Sequence, residues 1–457
     1  MLTVPKRFFI ISSYSPILLP LIATVIRLTP DIAALSYYII AGYALFGKQQ
    51  AIQALVLSWF FTMINLTIAP RVELITLLRY LVIACSFFSI FFRTSFFKFD
   101  RLTLFTLGLG IFIAIHSIAL SPIQAVSFLK ISSWTVVIIT LFKAWSGLNL
   151  LEYERIKSWI LNFILLITLL SLPYLFIPEI GYARNSDGFQ GALNHPQVYG
   201  TTIALVTAIL LGKLFNHNKP PLSLMIIIIS LFLLIFISET RIAGIGLAIS
   251  LMISLIFFFI LNIFKTKTVV INKRLYLYLV FLILIPLIFN SYFVNLISFF
   301  LSKSGAIEVD GLFDAYLLSR GEFIFQMLDN IKENLITGIG FGIASDLSSM
   351  RVYYDPIFNL PISASVEKGV VPLMILEETG IFGFILFLIW ILILFYRAVI
   401  NGIESLTLLL AILSFNMGEA VLFSPGGQGL ITLVLLASIV TRPQMEIYSS
   451  TTKHLKD

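Results

Sequence analysis

Long apolar stretches recur from one end of the chain to the other, and no other feature constrains its fold as tightly. Most are long enough to cross a hydrocarbon core about 30 Å thick as a helix. Inside lipid the backbone must satisfy its own hydrogen bonds, which leaves helices or a closed barrel. Unbroken apolar runs, rather than alternating ones, select helices. Of the 457 residues 59% are hydrophobic and only 12% charged, against roughly 25% charged in a soluble domain. The mean hydropathy of +1.01 agrees. The expected fold is all-α: a polytopic integral membrane helical bundle of about 12–14 transmembrane helices. It forms a single domain over 1–457, with one large outward-facing loop, 301–372, that contains an amphipathic helix.

Hydropathy places spans near 8–26, 32–46, 51–68, 74–92, 102–120, 124–142, 157–176, 198–213, 222–237, 242–264, 275–298, 373–397, 406–422 and 428–441. The second, eighth, ninth and last are short enough for half-spans or re-entrant segments. With the N-terminus inside, most of the 30 Lys and Arg fall in the even loops and the tails. The short odd loops hold only Arg27, Arg71, Arg184 and Arg241. This bias predicts cytoplasmic termini and an extracytoplasmic 301–372. Basic residues so scattered do not form a nucleic-acid footprint. The run after Lys6-Arg7 is too long for a signal peptide and lacks a small-residue cleavage site, so the first span is expected to anchor itself. Cys85, the lone cysteine, excludes an internal disulfide or a cysteine metal site. His116, His195, His217 and His454 are dispersed, and no metal or other cofactor is expected.

The positive-inside rule leaves some cations unexplained. Arg79 and Lys130 lie about six or seven residues inside their spans, where an ionisable group costs at least ~2.5–3.5 kcal/mol at the centre and normally faces a cavity or a partner. Arg71, Arg184, Arg241, Arg320 and Lys368 are expected at or beyond the same outer boundary. If these converge, they form a cationic cavity suited to a lipid-linked phosphate or diphosphate. The blander readings are that Arg79 and Lys130 snorkel, and that Arg27 pairs with Asp31 and Arg71 with Glu73. Arg241 stands in a tight turn, SETRIAG, before the amides of a helix N-terminus, which favours an anion site. In ARNSDGFQGALNHPQVYG, His195 reads either as a functional group or as a neighbour of the helix cap. In the long loop Phe323, Ile324, Met327, Leu328 and Ile331 recur at helical spacing after Arg320. GIGFG follows, a weak match to a phosphate loop because it lacks the GK[ST] ending.

Four blocks taken in order resemble the O-antigen ligase and O-antigen polymerase superfamily of membrane glycosyltransferases. GFQGALNHPQVYG is similar to its Gly, His-Pro, Gly pattern before a span, and SETRIAG to its Ser-Arg-small turn. Arg320 with NIKENLITGIGFG resembles its Arg…Trp…Asn-Pro-Leu-x-Gly-x-Gly-Phe-Gly block, and LEETGIFG its Glu-x-Gly-Ile-x-Gly. The resemblance is close over roughly 180–400. Ile324 stands at the Trp position and Leu335 at the Pro position, and the family's His-Asn would fall at Gly369-Val370, behind Glu367-Lys368. In the ligase branch that His is an implied catalytic group, so its absence favours a polymerase or a divergent exopolysaccharide enzyme.

The resemblance implies transfer of a glycan from an undecaprenyl-diphosphate donor to an acceptor at the outer face of the bacterial cytoplasmic membrane, without metal. The acceptor is another glycan or a lipid-linked one, and a chain-length regulator protein is a further partner that such a polymerase takes. Arg241 and Arg320 are expected to hold the diphosphate with Lys368 assisting, and Glu367 is the candidate base. Arg79, Lys130, Arg184, His195 and Glu378 are the remaining expected substrate contacts; for Glu378 a buried pair that orients a Lys or Arg is as good a reading. The rival classes are an O-antigen ligase and, outside enzymes, a transporter or flippase of an anionic or lipid-linked substrate.

Overall fold

The computed structural model describes residues 15–93, 99–184, 188–216, 219–263, 312–364 and 366–441. The expected span at 275–298, the start of the first span and both tails lie outside them. Helices dominate: α1 (Ser15–Leu28), α2 (Leu35–Ala44), α3 (Lys48–Met63), α4 (Ile75–Arg93), α5 (Arg101–Leu120), α6 (Gln124–Ser146), α7 (Leu150–Ser171), a short turn α8 (Pro178–Gly181), α9 (Pro196–Asn216), α10 (Leu222–Ile237), α11 (Arg241–Ile263), α12 (Leu312–Glu333), α13 (Val371–Ile400), α14 (Ile403–Phe415) and α15 (Gln428–Val440). The one sheet among the described residues is a hairpin, β1 (Val352–Tyr354) with β2 (Pro361–Ala364). Among the described residues seven helices, α4 to α7, α9, α11 and α13, are long and apolar enough to cross a membrane. Four more apolar helices, α1, α10, α14 and α15, are shorter. The chain is an all-α helical membrane protein with several crossings.

α14 packs between α9 and α11, α13 lies along α5, and α15 lies on α3 and α6. α9 is central, with 78% of its apolar window buried against 33–39% for α4, α5, α7, α11 and α13. That explains its composition, in which Gly, Ala and Thr allow close helix approach. α14 and α15 have 13 residues each, about 20 Å of helix and short of a full crossing. The sequence predicts one continuous span over 406–422; the helix instead stops at Phe415. Asn416 ends it by accepting the Val421 and Leu422 N–H groups through Oδ1 at 3.0 and 2.8 Å, folding 416–427 back as a non-helical segment packed against the bundle. At the opposite end of α14, Lys157 of α7 pairs with Glu404 at 2.6 Å, both nearly buried.

The amphipathic helix of the long polar region is α12. Met327 and Ile331 are buried, Phe323, Ile324 and Leu328 half-buried, and Glu322 and Asp329 exposed on the other side. α12 packs on α13, so its apolar stripe faces the bundle.

α13 is broken at Gly380, where φ is 63° and ψ −172°, a region essentially confined to glycine. The break frees helix carbonyls inside an apolar environment, and the GIGFG loop takes them. Ile339 and Gly340 donate N–H to the Glu377 and Glu378 carbonyls at 2.9 and 3.0 Å, and Ile381 donates to Leu335 at 2.9 Å. Gly338, Gly340 and Gly342 all have positive φ, which lets the loop lie flat on the break. A Cβ on Gly380 would collide with the Ile336 carbonyl. Gly380→Ala should therefore cost ~1–3 kcal/mol from backbone strain alone, read as a lower unfolding midpoint in detergent. An unchanged midpoint would mean that the break tolerates a side chain.

The hairpin turn is set by Asp355, which accepts the N–H groups of Ile357, Phe358 and Leu360, each at 2.9 Å. Desolvation raises its pKa, but these three donors prevail and hold the carboxyl below its usual range. The turn is thus intact above the ordinary carboxylate range and loosens only as pH falls through that lowered value. Asp355→Ala should speed hydrogen exchange at the three amides by about tenfold or more; native protection there would remove Asp355 as the organiser.

Candidate functional site

Two clusters of charged side chains form at the end of the bundle where α9, α11 and α13 begin. The first centres on Arg320. One face of α12 sends Tyr316 and Arg320, one turn apart, onto the segment after α14. The Tyr316 hydroxyl donates to the Met417 carbonyl at 2.8 Å, and Arg320 Nη2 donates to Glu419 Oε1 at 2.7 Å. Arg320 Nη1 lies 3.7 Å from Glu367 Oε1, whose side chain is 74% exposed. The same Glu419 oxygen accepts Gln197 Nε2 at 2.7 Å, which ties in the start of α9. Burial raises the Glu419 pKa and the Glu367 charge adds to this, while Arg320 opposes both.

His195 stands just before α9. Its Nδ1 accepts the Gln197 N–H at 3.1 Å, the cap-neighbour geometry, and this leaves Nε2 to carry the proton of the neutral ring. Burial, then the Arg184 charge, lowers its pKa. His195 is therefore neutral at pH 7 and a hydrogen-bond donor. Arg184 itself is exposed, and its backbone N–H donates to Gln190 Oε1 at 3.1 Å.

A cavity of about 170 Å³ opens here between α9, α14 and α15, with His195, Gln197, Asn416, Glu419 and Gln428 on its polar side. The SETRIAG turn closes around the start of α9. Thr240 Oγ1 donates to the Pro196 carbonyl at 2.9 Å, Phe189 N–H donates to the Ile237 carbonyl at 3.1 Å, and Gly200 leaves room for Ser238 and Thr240. Arg241, half-buried, is the first residue of α11, and Ile242 after it lies against Gly418. Arg241 thus neighbours the Glu419 segment without being part of the cavity wall. Arg79 of α4 reaches that segment from the other side. Its guanidinium lies against Gly426, two residues before Gln428, and its Nε is buried without a hydrogen bond.

The second cluster is closed. Lys368, expected beside a leaving group, is instead fully buried, with Nζ 2.6 Å from Glu377 Oε2 and 3.1 Å from Glu378 Oε1. Glu377 Oε1 also accepts Asn330 Nδ2 at 2.7 Å, and Glu378 Oε2 accepts the Gly342 N–H at 2.8 Å. Glu378 thus adopts the buried-pair arrangement and makes no contact with open space. Lys130, expected as a substrate contact, lies 5.2 Å from the Phe341 ring centroid, with Glu378 and Lys368 as its charged neighbours. Two cations and two carboxylates thus pin the GIGFG loop to the broken helix. Gly369, with φ 72°, then passes beside Arg320 and the Gly418 carbonyl, joining the two clusters.

Of the residues singled out in the sequence, the structure brings Arg320, Glu367, His195, Arg241 and Arg79 around one segment, leaves Arg184 exposed with its charge bearing on His195, and separates Lys368, Glu378 and Lys130 into an interior clamp. The sequence reading misses Glu419, Gln197 and Gln428. Asn416, Glu419 and Gln428 fall at apolar helix ends, so the signal available was a polar trio inside stretches otherwise read as spans. Arg27, expected to pair with Asp31, donates instead to the Phe61 and Pro70 carbonyls at 3.1 and 2.8 Å. Comparison with protein-family models gives no match, and comparison with curated proteins gives none either.

Proposed function

We propose that this protein is a membrane glycosyltransferase that polymerises glycan carried on undecaprenyl diphosphate at the outer face of the bacterial cytoplasmic membrane. The observation that supports it best is that residues of three of the four blocks, together with the segment before α13, meet at one place. The turn carrying Arg241, the loop carrying His195, the α12 face carrying Arg320 and the segment before α13 all border the same 416–428 stretch. Arg320 has the chemistry the reaction needs. Its fork is held on one side by Glu419, and on the other its partner among the described residues is an exposed carboxylate at 3.7 Å, which a diphosphate oxygen can replace. Charge developing on the leaving diphosphate then meets an oriented guanidinium in a partly water-excluded setting. Arg241, with the first amides of α11 behind it, supplies a second positive site.

Transport has less support. The broken helix at Gly380 is the kind of element that binds ions in transporters, but its freed carbonyls at 377 and 378 are already occupied by Ile339 and Gly340.

The test is the polysaccharide profile of cells carrying Arg241→Ala or Arg320→Ala in place of the native chain. Both variants should stay in the membrane and lose long-chain polymer, leaving single-repeat product. Normal long chains from both would sink the assignment, and a bare lipid core with accumulated lipid-linked polymer in a deletion strain would point to a ligase.

A further inference from the structure

We propose that the cavity between α9, α14 and α15 binds the acceptor as a neutral, polyhydroxylated glycosyl residue, and that Glu419 takes the proton from its attacking hydroxyl. This rests on the glycan-transfer reading above and names the acceptor half of that site.

The walls suit such a ligand. Gln197, Gln428 and Glu419 present planar groups whose donors and acceptors match vicinal hydroxyls, beside the apolar side chains of Val198 and Phe415. Two atoms there wait for a partner. Gln428 Oε1 is fixed by the Thr202 hydroxyl at 3.2 Å, while Gln428 Nε2 is shut off from solvent and makes no hydrogen bond. Both contacts of Glu419 fall on Oε1, so Oε2 has no hydrogen-bond partner among the described residues. A buried donor left open beside a partly exposed carboxylate oxygen in one cavity is what a bound hydroxyl satisfies.

Glu419 is better placed than Glu367 to accept the proton. Glu367 lies in solvent with a single long contact, where bulk water competes for it. Glu419 is held in one orientation by Arg320 and Gln197, each at 2.7 Å. The charged and titratable groups facing it are Arg320 from α12, Glu367 from the segment before α13, and His195 ahead of α9. The burial that raises its pKa also makes it a better proton acceptor than an exposed carboxylate. In the step, the acceptor hydroxyl gives its proton to Glu419 and its oxygen bonds to the anomeric carbon of the donor. The bond from that carbon to the diphosphate oxygen breaks, and its electron pair leaves on the lipid diphosphate beside Arg320. Glu419 then returns the proton to water.

The test uses the full chain in lipid nanodiscs, with lipid-diphosphate-linked oligosaccharide as donor and a soluble oligosaccharide of the same repeat unit as acceptor. Glu419→Gln should lower kcat by about 10²–10⁴-fold while retaining radiolabelled donor as the native protein does. It should also lose the acid limb of the pH–rate profile, and Glu419→Asp should recover part of the rate together with that limb. Gln428→Leu should raise KM for the acceptor about tenfold with kcat nearly unchanged. A Glu419→Gln protein that works within threefold of native with the same pH profile overturns this proposal alone, as does an unchanged acceptor KM in Gln428→Leu. A native protein that neither retains the donor nor forms product overturns the reading beneath it, and this proposal with it.

Discussion

Arg320→Ala is expected to lower the transfer rate by about 10²–10³-fold, the loss typical when one preorganised donor to a developing anion is removed. The effect has two parts. The leaving diphosphate loses its forked donor, and Glu419 loses the cation that orients it at 2.7 Å. Without Arg320, Glu419 and Glu367 also repel each other uncompensated, which raises the Glu419 carboxyl still further and moves the acid limb of the pH–rate profile upward. Arg320→Lys separates charge from geometry. A lysine keeps the positive charge but not the two-pronged donor set, so its activity should fall between those of the native protein and the alanine variant. Single-turnover rates with the lipid-linked donor make the comparison, and equal rates for the native protein and Arg320→Ala would exclude Arg320 from the chemistry.

Lys368→Met should have the largest effect on stability. Its ammonium and the carboxylates of Glu377 and Glu378 are all fully buried, so no solvent screens what is lost. Removing one member of a buried ion cluster costs about 3–5 kcal/mol, because the remaining charge stays unpaired in a low dielectric. Here two carboxylates would remain, with Lys130 as the only nearby cation among the described residues. The consequence reaches the site, because Lys368 lies between Glu367 and the Gly369 turn that passes Arg320. Adding Glu377→Gln to Lys368→Met should recover much of the loss, since it removes the carboxylate that lies 2.6 Å from the ammonium. Thermal unfolding midpoints of the four proteins in detergent check this as a double-mutant cycle. Additive effects would show that the pair does not act as a unit.

How much of the site was legible from the chain depended on whether the signal was local. Arg320 could be read because an amphipathic pattern follows it in the one long polar region, and a polar region among apolar runs is visible without neighbours; that the helix α12 already starts at Leu312 could not. The Gly380 break could be read as a motif, Glu-x-Gly, but its purpose could not. The carbonyls it frees are satisfied by residues about forty positions earlier, and pairing at that distance leaves no local trace. Lys368 was misplaced for a related reason. One residue beyond a polar loop a lysine is as easily exposed as buried, and only the two carboxylates on the facing turn of α13 decide which.

Glu419 shows the limit most plainly. Its partners Arg320 and Gln197 lie 99 and 222 positions away, and its own surroundings in the chain are apolar.

By itself the sequence determined that this is a helical membrane protein and where most of its helices run. The cost of exposing backbone and charge to lipid is paid residue by residue, so hydropathy can be summed along a window. Which charges face a cavity and which lock the interior was decided only in the tertiary structure. Electrostatics and hydrogen bonding act through space over a few ångströms, and the groups that satisfy Arg320, Lys368 and the broken α13 are brought there by packing rather than by order in the chain.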